Sequence, residues 1–367
     1  MTTRTADIAI IGGGIAGLSL AAAIGERAAV VVLEAEAELF HHTSSRSAEQ
    51  MQPTYGPAPV RALTTASIPL VDEKAERAGT PVYRPRPLLW LHAAAERGPF
   101  DTLLATVPGL TEIGAADAIR MLPVLRPELL VDAAVDLSAV EVDVPLLLDW
   151  YRADAVGAGA TIVTGARVTA ARRSETTWRL TAGATTVEAP VVVDAAGAWV
   201  DVVAGLFGVR PRGLTPKRRT VAVAPARRPV DPRWPMAADV ADRFYFRPRG
   251  AAILASALED VISEPEDAQP IEGDVATVIE RVNAATDLEL GPPTTAWTGL
   301  RTLSPDTCPV VGFDDAVPGF YWLAGQGGYG IQTSAALSRY AAAELLDAEH
   351  GLDGLEDVPA QLSPARF

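Results

Sequence analysis

The sequence predicts an α/β fold in which a Rossmann-like domain is interleaved with a second, β-rich domain. The first observation is a strand–turn–helix–strand pattern over Asp7–Leu33, with glycines in the turn. The second is a series of short apolar runs, broken by prolines, in the middle of the chain. The third is a glycine-rich segment before a long apolar-periodic helix near residue 331. We therefore expect two discontinuous domains, the first formed by residues 1–79, 141–209 and 301–367 and the second by residues 80–140 and 210–300.

Composition and charge narrow the class of protein. The chain has 367 residues, which fits two domains, and its hydrophobic content of 49% is typical of globular proteins. The net charge of −15 argues against nucleic acid as a partner. Cys308 is the single cysteine, so no intrachain disulfide can form, and we expect no cysteine-based zinc site. The four histidines show no metal-ligand spacing, so we predict no metal site. A lone cysteine favours a reducing compartment, and we therefore expect a cytoplasmic protein.

The uncharged run Ile8–Gly25 could be read as a signal peptide or a membrane span. Glycines interrupt this run at its centre, and Asp7 precedes it where a signal peptide would carry positive charge. A glycine-rich phosphate-binding loop explains the same residues with a mechanism. We therefore expect no integral membrane segment.

The remaining elements follow from periodicity and from the position of turn residues. The polar segment Phe40–Gly56 has loop composition. In chain order we predict strands at Asp7–Ile11, Ala29–Leu33, Ala160–Ala170, Ala189–Asp194 and Tyr321–Leu323, and helices at Ile15–Gly25, Arg61–Gly79, Leu146–Gly159 and Ile331–Ala348.

The N-terminal loop has the pattern Gly12-x-Gly14-x-x-Gly17 and is followed by Glu34 at the end of the next strand. In such loops the first glycine allows the tight turn, the second lets a pyrophosphate approach, and the third lets the helix pack on the strand. The first helical N–H groups and the helix dipole hold the diphosphate. A carboxylate at Glu34 can accept hydrogen bonds from ribose hydroxyls and disfavours a 2′-phosphate. The loop therefore predicts a dinucleotide, although it does not distinguish NAD from FAD.

Three other segments carry candidate cofactor contacts. Thr43–Ser47 is a run of hydrogen-bond donors, which by itself is equally typical of a polar loop. Ala195–Ala198 is a run of small residues that permits close approach of a cofactor or tight strand-to-helix packing. Glycines at 327, 328 and 330 place the start of the last long helix where it could stabilise negative charge.

These segments together resemble a known family. The motifs, in chain order, are GGGIAG with Glu34, HHTSSRSA at His41–Ala48, DAAGAW at Asp194–Trp199, PKRR at Pro216–Arg219, RFYFRP at Arg243–Pro248, WTGLR at Trp297–Arg301 and GQGGYGIQTS at Gly325–Ser334. Their order and spacing resemble the D-amino-acid oxidase-like flavoproteins over nearly the whole chain, with the closest likeness to bacterial D-arginine dehydrogenase. The resemblance implies a glutathione-reductase-like FAD-binding domain and a β-rich substrate domain.

The resemblance also implies which residues contact the cofactor. Cys308 does not fall where sarcosine oxidases attach their flavin, so we expect FAD to be bound non-covalently. The implied FAD contacts are Gly12, Gly14, Ile15, Ala16, Gly17, Glu34, Ser44, Ser45, Arg46, Ser47, Ala48, Val168, Ala196, Gly197, Trp199, Gly327, Gly328, Tyr329, Gly330, Ile331 and Gln332.

For the substrate, the family's carboxylate-binding arginine falls on Arg301, whose fork of donors matches a carboxylate. The other implied substrate-site residues are Tyr245, Tyr55, Arg219, Gln50 and Gln332. The implied reaction is oxidation of the Cα–N bond of a D-amino acid by hydride transfer from Cα to flavin N5. The resulting imino acid would hydrolyse to a 2-oxo acid and ammonia, and oxygen or a quinone would reoxidise the flavin.

The sequence departs from the family at the substrate side chain. Arginine-specific relatives carry a carboxylate after an Arg-Pro pair, whereas Leu88 follows Arg86 and Pro87 here. An apolar residue cannot neutralise a buried cation, so we expect a substrate with an uncharged or apolar side chain. Gln50 and Gln52 replace a histidine and a threonine of relatives and leave specificity open. A glycine, N-methyl amino acid, secondary-amine or cyclic imino acid oxidase is the nearest alternative; an NAD-dependent dehydrogenase and a non-catalytic flavin-binding protein are more distant ones.

Overall fold

A computed structural model describes residues 2–93 and 97–367. The strands of the described residues, in chain order, are β1 (Thr2–Thr5), β2 (Ile8–Ile11), β3 (Val30–Leu33), β4 (Gln50–Met51), β5 (Tyr83–Pro85), β6 (Leu88–His92), β7 (Thr111–Gly114), β8 (Asp132–Asp136), β9 (Val140–Val142), β10 (Thr161–Val163), β11 (Val168–Ser174), β12 (Thr177–Ala182), β13 (Thr185–Ala189), β14 (Val191–Asp194), β15 (Thr215–Pro225), β16 (Met236–Asp239), β17 (Tyr245–Arg249), β18 (Ala252–Ser256), β19 (Val261–Ile262), β20 (Thr295–Leu303), β21 (Val310–Phe313) and β22 (Phe320–Ala324).

The α-helices of the same residues are α1 (Ile15–Ile24), α2 (Ala58–Ala78), α3 (Arg97–Thr106), α4 (Ala115–Met121), α5 (Val144–Gly157), α6 (Val200–Leu206), α7 (Glu272–Ala285), α8 (Gly330–Leu345) and α9 (Val358–Leu362). None of the described helices is long and apolar enough to cross a membrane.

A six-stranded sheet forms the Rossmann-like part of the molecule. Its order is β10-β3-β2-β14-β22-β21, and all neighbours are parallel except β21 with β22. One face packs on α1, α2, α5 and α8, and the other packs on α6 and on a four-stranded sheet of order β1-β13-β12-β11. Both faces are covered, which explains why β2 and β3 are continuous apolar runs. The strand order reverses between β2 and β14, and ligands of such sheets bind outside the carboxyl ends at this point.

The largest sheet is mainly antiparallel and has nine strands. Its order is β19-β15-β18-β17-β16-β6-β8-β7, with β20 paired to β15. One face packs on α7 and α4, and the opposite face carries Trp90, Val221 and Tyr245. A small sheet of order β4-β9-β5 lies beside it. This second face of the large sheet forms one wall of the candidate functional site.

Most of the predicted elements are present. The strand–helix–strand unit at the N-terminus is confirmed, and the predicted helices at residues 61–79, 146–159 and 331–348 correspond to α2, α5 and α8 with ends shifted by up to three residues. The single strand expected at Ala160–Ala170 is wrong. Gly165 turns the chain with φ = 61°, so that β10 pairs with β3 while β11 joins a different sheet. Helix α7 lies in a block that we expected to contain strands and turns. The domain boundaries stay a prediction.

Candidate functional site

Two cavities adjoin at the carboxyl ends of β2 and β14. The loop cavity, of about 270 Å³, is lined by the glycine loop, Glu34, Val168 and Trp199. The arginine cavity, of about 180 Å³, is lined by Arg219, Arg301 and the N-terminus of α8. The residues that line both cavities are Gly14, Thr43, Ser44, Arg46, Ala195, Gly197 and Leu300. The shared wall means that one elongated ligand could occupy both.

The glycine loop packs closely against the neighbouring strand end. Gly12 has φ = 114°, and a Cβ there would lie 2.3 Å from the carbonyl oxygen of Ala195. A Cβ on Gly17 would lie 2.0 Å from the carbonyl oxygen of Gly12. A Cβ on Gly14 would meet only Ser44 Oγ, at 3.2 Å. Gly12 and Gly17 are therefore required by packing, whereas Gly14 opens the backbone to the cavities.

Glu34 holds the glycine loop from the end of β3. Its carboxylate accepts hydrogen bonds from the N–H of Gly13, at 2.6 Å, and from the N–H of Glu36, at 2.8 Å. The half-buried side chain lines the loop cavity. The same carboxylate thus faces the space where the sequence places a ribose, and that contact stays a prediction.

The serine-rich loop is anchored to the large sheet. Ser44 Oγ accepts a hydrogen bond from the N–H of Ile15, at 2.9 Å, at the start of α1. Arg46 donates to the carbonyl oxygens of Ala268 and Thr298, at 3.0 and 2.8 Å, and pairs with Asp267. Since these partners occupy the Arg46 guanidinium, its observed role is to fasten the loop.

The glycines before α8 make room for Arg301. Gly328 has φ = 89°, and a Cβ there would lie 2.6 Å from Arg301 Nε. A Cβ on Gly327 would lie 2.4 Å from Leu303 Cδ2. The Arg301 side chain therefore lies directly against the backbone at the start of α8.

Two arginines and three tyrosines surround the arginine cavity. Arg219 on β15 and Arg301 on β20 come from antiparallel partners, and neither pairs with a carboxylate side chain among the described residues. Burial and the positive charge of Arg301 lower the pKa of Arg219. Burial acts to lower the pKa of Arg301, but the surrounding Tyr55, Tyr245 and Tyr329 leave it above its ordinary value. Both guanidiniums are cationic at neutral pH, and together they favour an anion.

Several polar atoms in this cavity are buried without a hydrogen-bond partner. They are Gln50 Oε1, Trp90 Nε1, Arg219 Nη1, Tyr245 Oη, Thr302 Oγ1 and Gln332 Nε2. Buried polar groups in native proteins are almost always hydrogen-bonded, so a concentration of exceptions in one cavity calls for an explanation. A polar ligand that supplies the partners is the simplest one.

Comparison with known proteins identifies the family. The sequence profile described as "FAD dependent oxidoreductase" matches residues 7–344. The chain belongs to this family, and FAD is its cofactor. The fold is similar to that of glycine oxidase from Geobacillus kaustophilus, with a TM-score of 0.85, 21% identity, and coverage of 99% of each chain.

Two further solved structures show the same fold. L-proline dehydrogenase from P. horikoshii has a TM-score of 0.87 and 18% identity, with 100% of this chain and 98% of that chain covered. L-alpha-glycerophosphate oxidase from Mycoplasma pneumoniae, with FAD bound, has a TM-score of 0.81 and 17% identity, with 94% of this chain and 96% of that chain covered.

The two cavities fit FAD. Gly14 and the N–H groups at the start of α1 are suited to the pyrophosphate, and Glu34 is suited to the ribose. The unpartnered amide of Gln332, near the start of α8, is a donor that a flavin ring could satisfy. Cys308 is buried and lines neither cavity.

The structure brings nearly all of the predicted site residues to these cavities. Gly17 lies behind the loop, and Ser45 donates to the carbonyl oxygen of His42 instead of lining either cavity. Every other predicted cofactor or substrate residue lines at least one of the two cavities. The segment from which we predicted the substrate side chain lies elsewhere. Leu88 is fully buried and does not line the arginine cavity, and Arg86 is bound to Glu141 at 2.5 Å.

Sequence reasoning missed other residues of the arginine cavity. Trp90, Met236 and Asp242 line it, and no sequence signal distinguishes them from ordinary core or loop residues. Glu259 supports Arg219, whose Nε donates to its carbonyl oxygen at 2.9 Å. His41, His42 and Glu36 offer ligand atoms within 4.8 Å of one another, a proximity that is not apparent from the histidine spacing alone. Both histidines lie within 4.0 Å of Asp267, and His42 Nε2 lies 3.3 Å from Glu36 Oε1, so contacts among these side chains account for the cluster.

Proposed function

We propose that the protein oxidises the Cα–N bond of a D-amino acid with an uncharged side chain. The observation that carries this proposal is the pair of guanidiniums, Arg301 and Arg219, which line the arginine cavity beside the loop cavity and have no carboxylate partner among the described residues. A guanidinium presents parallel donors that match a substrate carboxylate. The D configuration rests on the sequence motifs.

The residues of the cavity account for substrate binding and orientation. FAD, when bound, would supply the acceptor for the hydride, the electron pair of the Cα–H bond, that leaves Cα as the Cα–N single bond becomes a C=N double bond. Arg301 and Arg219 would hold the substrate carboxylate, and the hydroxyls of Tyr245 and Tyr55 would donate to it. Fixing the substrate in this way removes translational and rotational freedom before reaction, which can lower the barrier by several kcal/mol.

The reaction requires the substrate amine to lose a proton, and the arginine cavity offers few groups that could accept it. Among the described residues that line the arginine cavity, Asp242 supplies the one carboxylate, and burial raises the pKa of this carboxyl. We infer that the substrate amine reacts in its neutral form, having lost its proton to solvent. The imino acid product then adds water outside the redox step and releases ammonia and a 2-oxo acid.

A second candidate function is oxidation of glycine or of a secondary or cyclic amine. It is favoured by the similarity of the fold to glycine oxidase and L-proline dehydrogenase. Both candidates need the same carboxylate-binding arginines, so they differ only in the amine and side-chain part of the substrate.

The test is anaerobic mixing of the FAD-loaded protein with D-, L- and N-methyl amino acids and with proline, while the flavin absorbance is recorded. Bleaching by D-amino acids supports the proposal, and bleaching only by glycine, N-methyl or cyclic amines replaces it with the second candidate. A flavin that no amine bleaches would mean that both are wrong and would favour a non-catalytic flavin-binding protein. Subsequent addition of oxygen or of a quinone identifies the electron acceptor.

A further inference from the structure

The register of the large sheet places Trp90 and Tyr245 on one face, with one residue between them. Trp90 pairs with Ala238, and Ala238 pairs with Tyr245, across the adjacent strands β6, β16 and β17. Paired residues project from the same face, and neighbouring strands lie about 4.8 Å apart, so Trp90 stands about 10 Å across the sheet from Tyr245. The small Ala238 leaves space between them. The side chain of a substrate whose carboxylate is held near Tyr245 can therefore reach Trp90.

The indole of Trp90 offers a hydrogen-bond donor at this end of the cavity. The side chain is 5% exposed, and its Nε1–H has no partner. The centroid of its ring lies 5.9 Å from that of Tyr55, which lines the same cavity. Because an indole N–H can only donate, Trp90 needs an acceptor from the ligand.

Gln50 offers an acceptor in the same cavity. It is 8% exposed, and its Nε2 donates to the carbonyl oxygen of Arg86 at 2.8 Å. A carbonyl accepts only from the NH₂ group, so this bond fixes the orientation of the amide. Oε1 of Gln50 is left buried without a partner. Arg86 is itself fixed by Glu141 and by the carbonyl oxygen of Pro232, at 2.8 Å, so the acceptor is held in place.

Three of the other four unpartnered polar atoms of the cavity have roles in the proposed function, and the fourth, Thr302 Oγ1, is a hydroxyl that can either donate or accept. Arg219 and Tyr245 face the substrate carboxylate, and Gln332 lies at the start of α8 beside the expected flavin. Gln52, two residues after Gln50, donates to the sulfur of Met236 at 3.1 Å. Gln50 and Trp90 thus give one cavity a neutral acceptor and a neutral donor that the proposed binding of FAD and carboxylate does not use.

We propose that this pair selects a substrate whose side chain carries a hydroxyl or a carboxamide. This inference rests on the proposed function and names its substrate class. A hydroxyl or carboxamide both donates and accepts, so it can satisfy Gln50 and Trp90 together. An aliphatic side chain leaves both buried atoms unsatisfied, an ammonium leaves the indole unsatisfied, and a carboxylate leaves the amide oxygen unsatisfied.

The test compares acyclic substrates of the same shape that differ in polarity, and one cyclic pair that differs by an added hydroxyl. Anaerobic flavin reduction is measured for D-threonine against D-valine and D-asparagine against D-leucine, for their L enantiomers, and for 4-hydroxyproline against proline. We expect the polar member of each reactive pair to have a ratio of reduction rate to dissociation constant at least about tenfold higher.

Variants assign the preference to the two residues. Trp90→Phe and Gln50→Leu each remove one unpartnered atom and should reduce the threonine preference to within about twofold. Trp178→Phe is the matched control, because its indole N–H donates to the carbonyl oxygen of Pro318, away from both cavities. It should keep the preference. Retained FAD absorbance reports folding, and either of the two test variants suffices if the other fails to fold.

The outcomes separate this inference from the proposed function. D-amino acids that bleach the flavin without a polar preference, or a preference that persists in both variants, would overturn the inference and leave the function standing. Reaction of only the L or cyclic pairs would overturn the proposed function, while their polar-to-apolar ratio still supports or overturns the inference. Reaction of no pair would overturn both.

Discussion

At the scale of single residues, Arg301 carries the greatest weight in the proposed chemistry. It lies against the backbone of Gly328, which fixes the direction of its side chain. Replacing it by methionine removes the charge but keeps most of the apolar stem, so FAD should stay bound. Loss of a charge-assisted hydrogen bond should raise KM by about 10- to 150-fold. Steady-state kinetics and the flavin spectrum measure both effects.

The control for Arg301→Met is Lys217→Met. Lys217 is the cross-strand partner of Arg301 on β15, but it pairs with Asp260 outside the arginine cavity. We expect its KM to match that of the wild-type protein. An unchanged KM in Arg301→Met would show that the carboxylate is bound elsewhere.

Asp194, at the end of β14, makes stability depend on pH. Burial raises the pKa of this fully buried carboxyl well above its ordinary value of 3.8, and one of its oxygens has no partner. Folding therefore favours the protonated form, and stability is lost as pH rises from the unfolded pKa toward the folded pKa. The loss is about 1.4 kcal/mol per pH unit in that window. Asp194→Asn should leave Tm unchanged near pH 3 and raise it increasingly above pH 4.

The matched control for this change is Asp315→Asn at an exposed acid. Thermal unfolding of both variants should be recorded from pH 3 to pH 8. A Tm difference for Asp194→Asn that does not vary with pH would mean that the native carboxyl titrates normally.

At the scale of elements, the contact between α1 and the end of β2 depends on a missing side chain. Gly17→Ala would place a methyl group 2.0 Å from the carbonyl oxygen of Gly12. Because that oxygen belongs to the backbone, it cannot move away without distorting the glycine loop. We expect loss of bound FAD and a fall in the free energy of unfolding of about 3 kcal/mol or more. FAD content and urea unfolding measure these effects.

Gly205→Ala in α6 is the control for Gly17→Ala. A Cβ at Gly205 meets nothing within 4 Å, so alanine should be neutral or should stabilise the helix by up to about 1 kcal/mol. If both variants behave alike, the close packing of α1 on the loop is not what the glycine provides.

An ion-pair network ties the loop after the serines to the large sheet. Arg247 on β17 is fully buried, pairs with Glu49 and Glu141, and donates to the carbonyl oxygen of Ala48 at 2.9 Å. Arg247→Met would leave two partly buried carboxylates without this partner and should lower the free energy of unfolding by about 3–5 kcal/mol.

The comparison for Arg247→Met is Arg249→Met. Arg249 is half exposed and binds Glu49 from the outside, at 3.2 Å, so its loss should cost about 1 kcal/mol or less. Equal losses in the two variants would contradict the structural role of the buried arginine.

The elements that the sequence predicts well are those specified by local spacing. The loop from Gly12 to Gly17 follows from turn, pyrophosphate and packing requirements within one short segment. Trp90, by contrast, reads as one more apolar residue of β6. Its position in the arginine cavity depends on β6 pairing with β16, some 145 residues later in the chain. Leu88 shows the converse, because a local comparison of motifs placed it at the substrate, whereas the sheet buries it away from the cavity.

At the scale of the whole molecule, the site joins the two large sheets. The wall shared by the cavities contains Gly14 from the glycine loop and Leu300 from β20. FAD bound across this wall should raise the free energy of unfolding by about 2.7 kcal/mol at a hundredfold excess over its dissociation constant. At the same concentration, riboflavin and AMP should each raise Tm less than FAD. A Tm that FAD does not change would contradict binding across both cavities.

The order of strands in the six-stranded sheet constrains how the chain can fold during synthesis. Strand β14 pairs with β2 on one side and with β22 on the other, although β2 ends at Ile11 and β22 begins at Phe320. At about 5–20 residues per second, a ribosome needs about 15–60 s to make the chain between them. For that time the sheet that contains β2 lacks β22, and helix α1 lacks α8, which packs against it in the finished protein. The nascent chain must therefore remain unaggregated with its N-terminal strand incompletely covered, and slow, non-local pairing of this kind is a situation in which chaperones are of use.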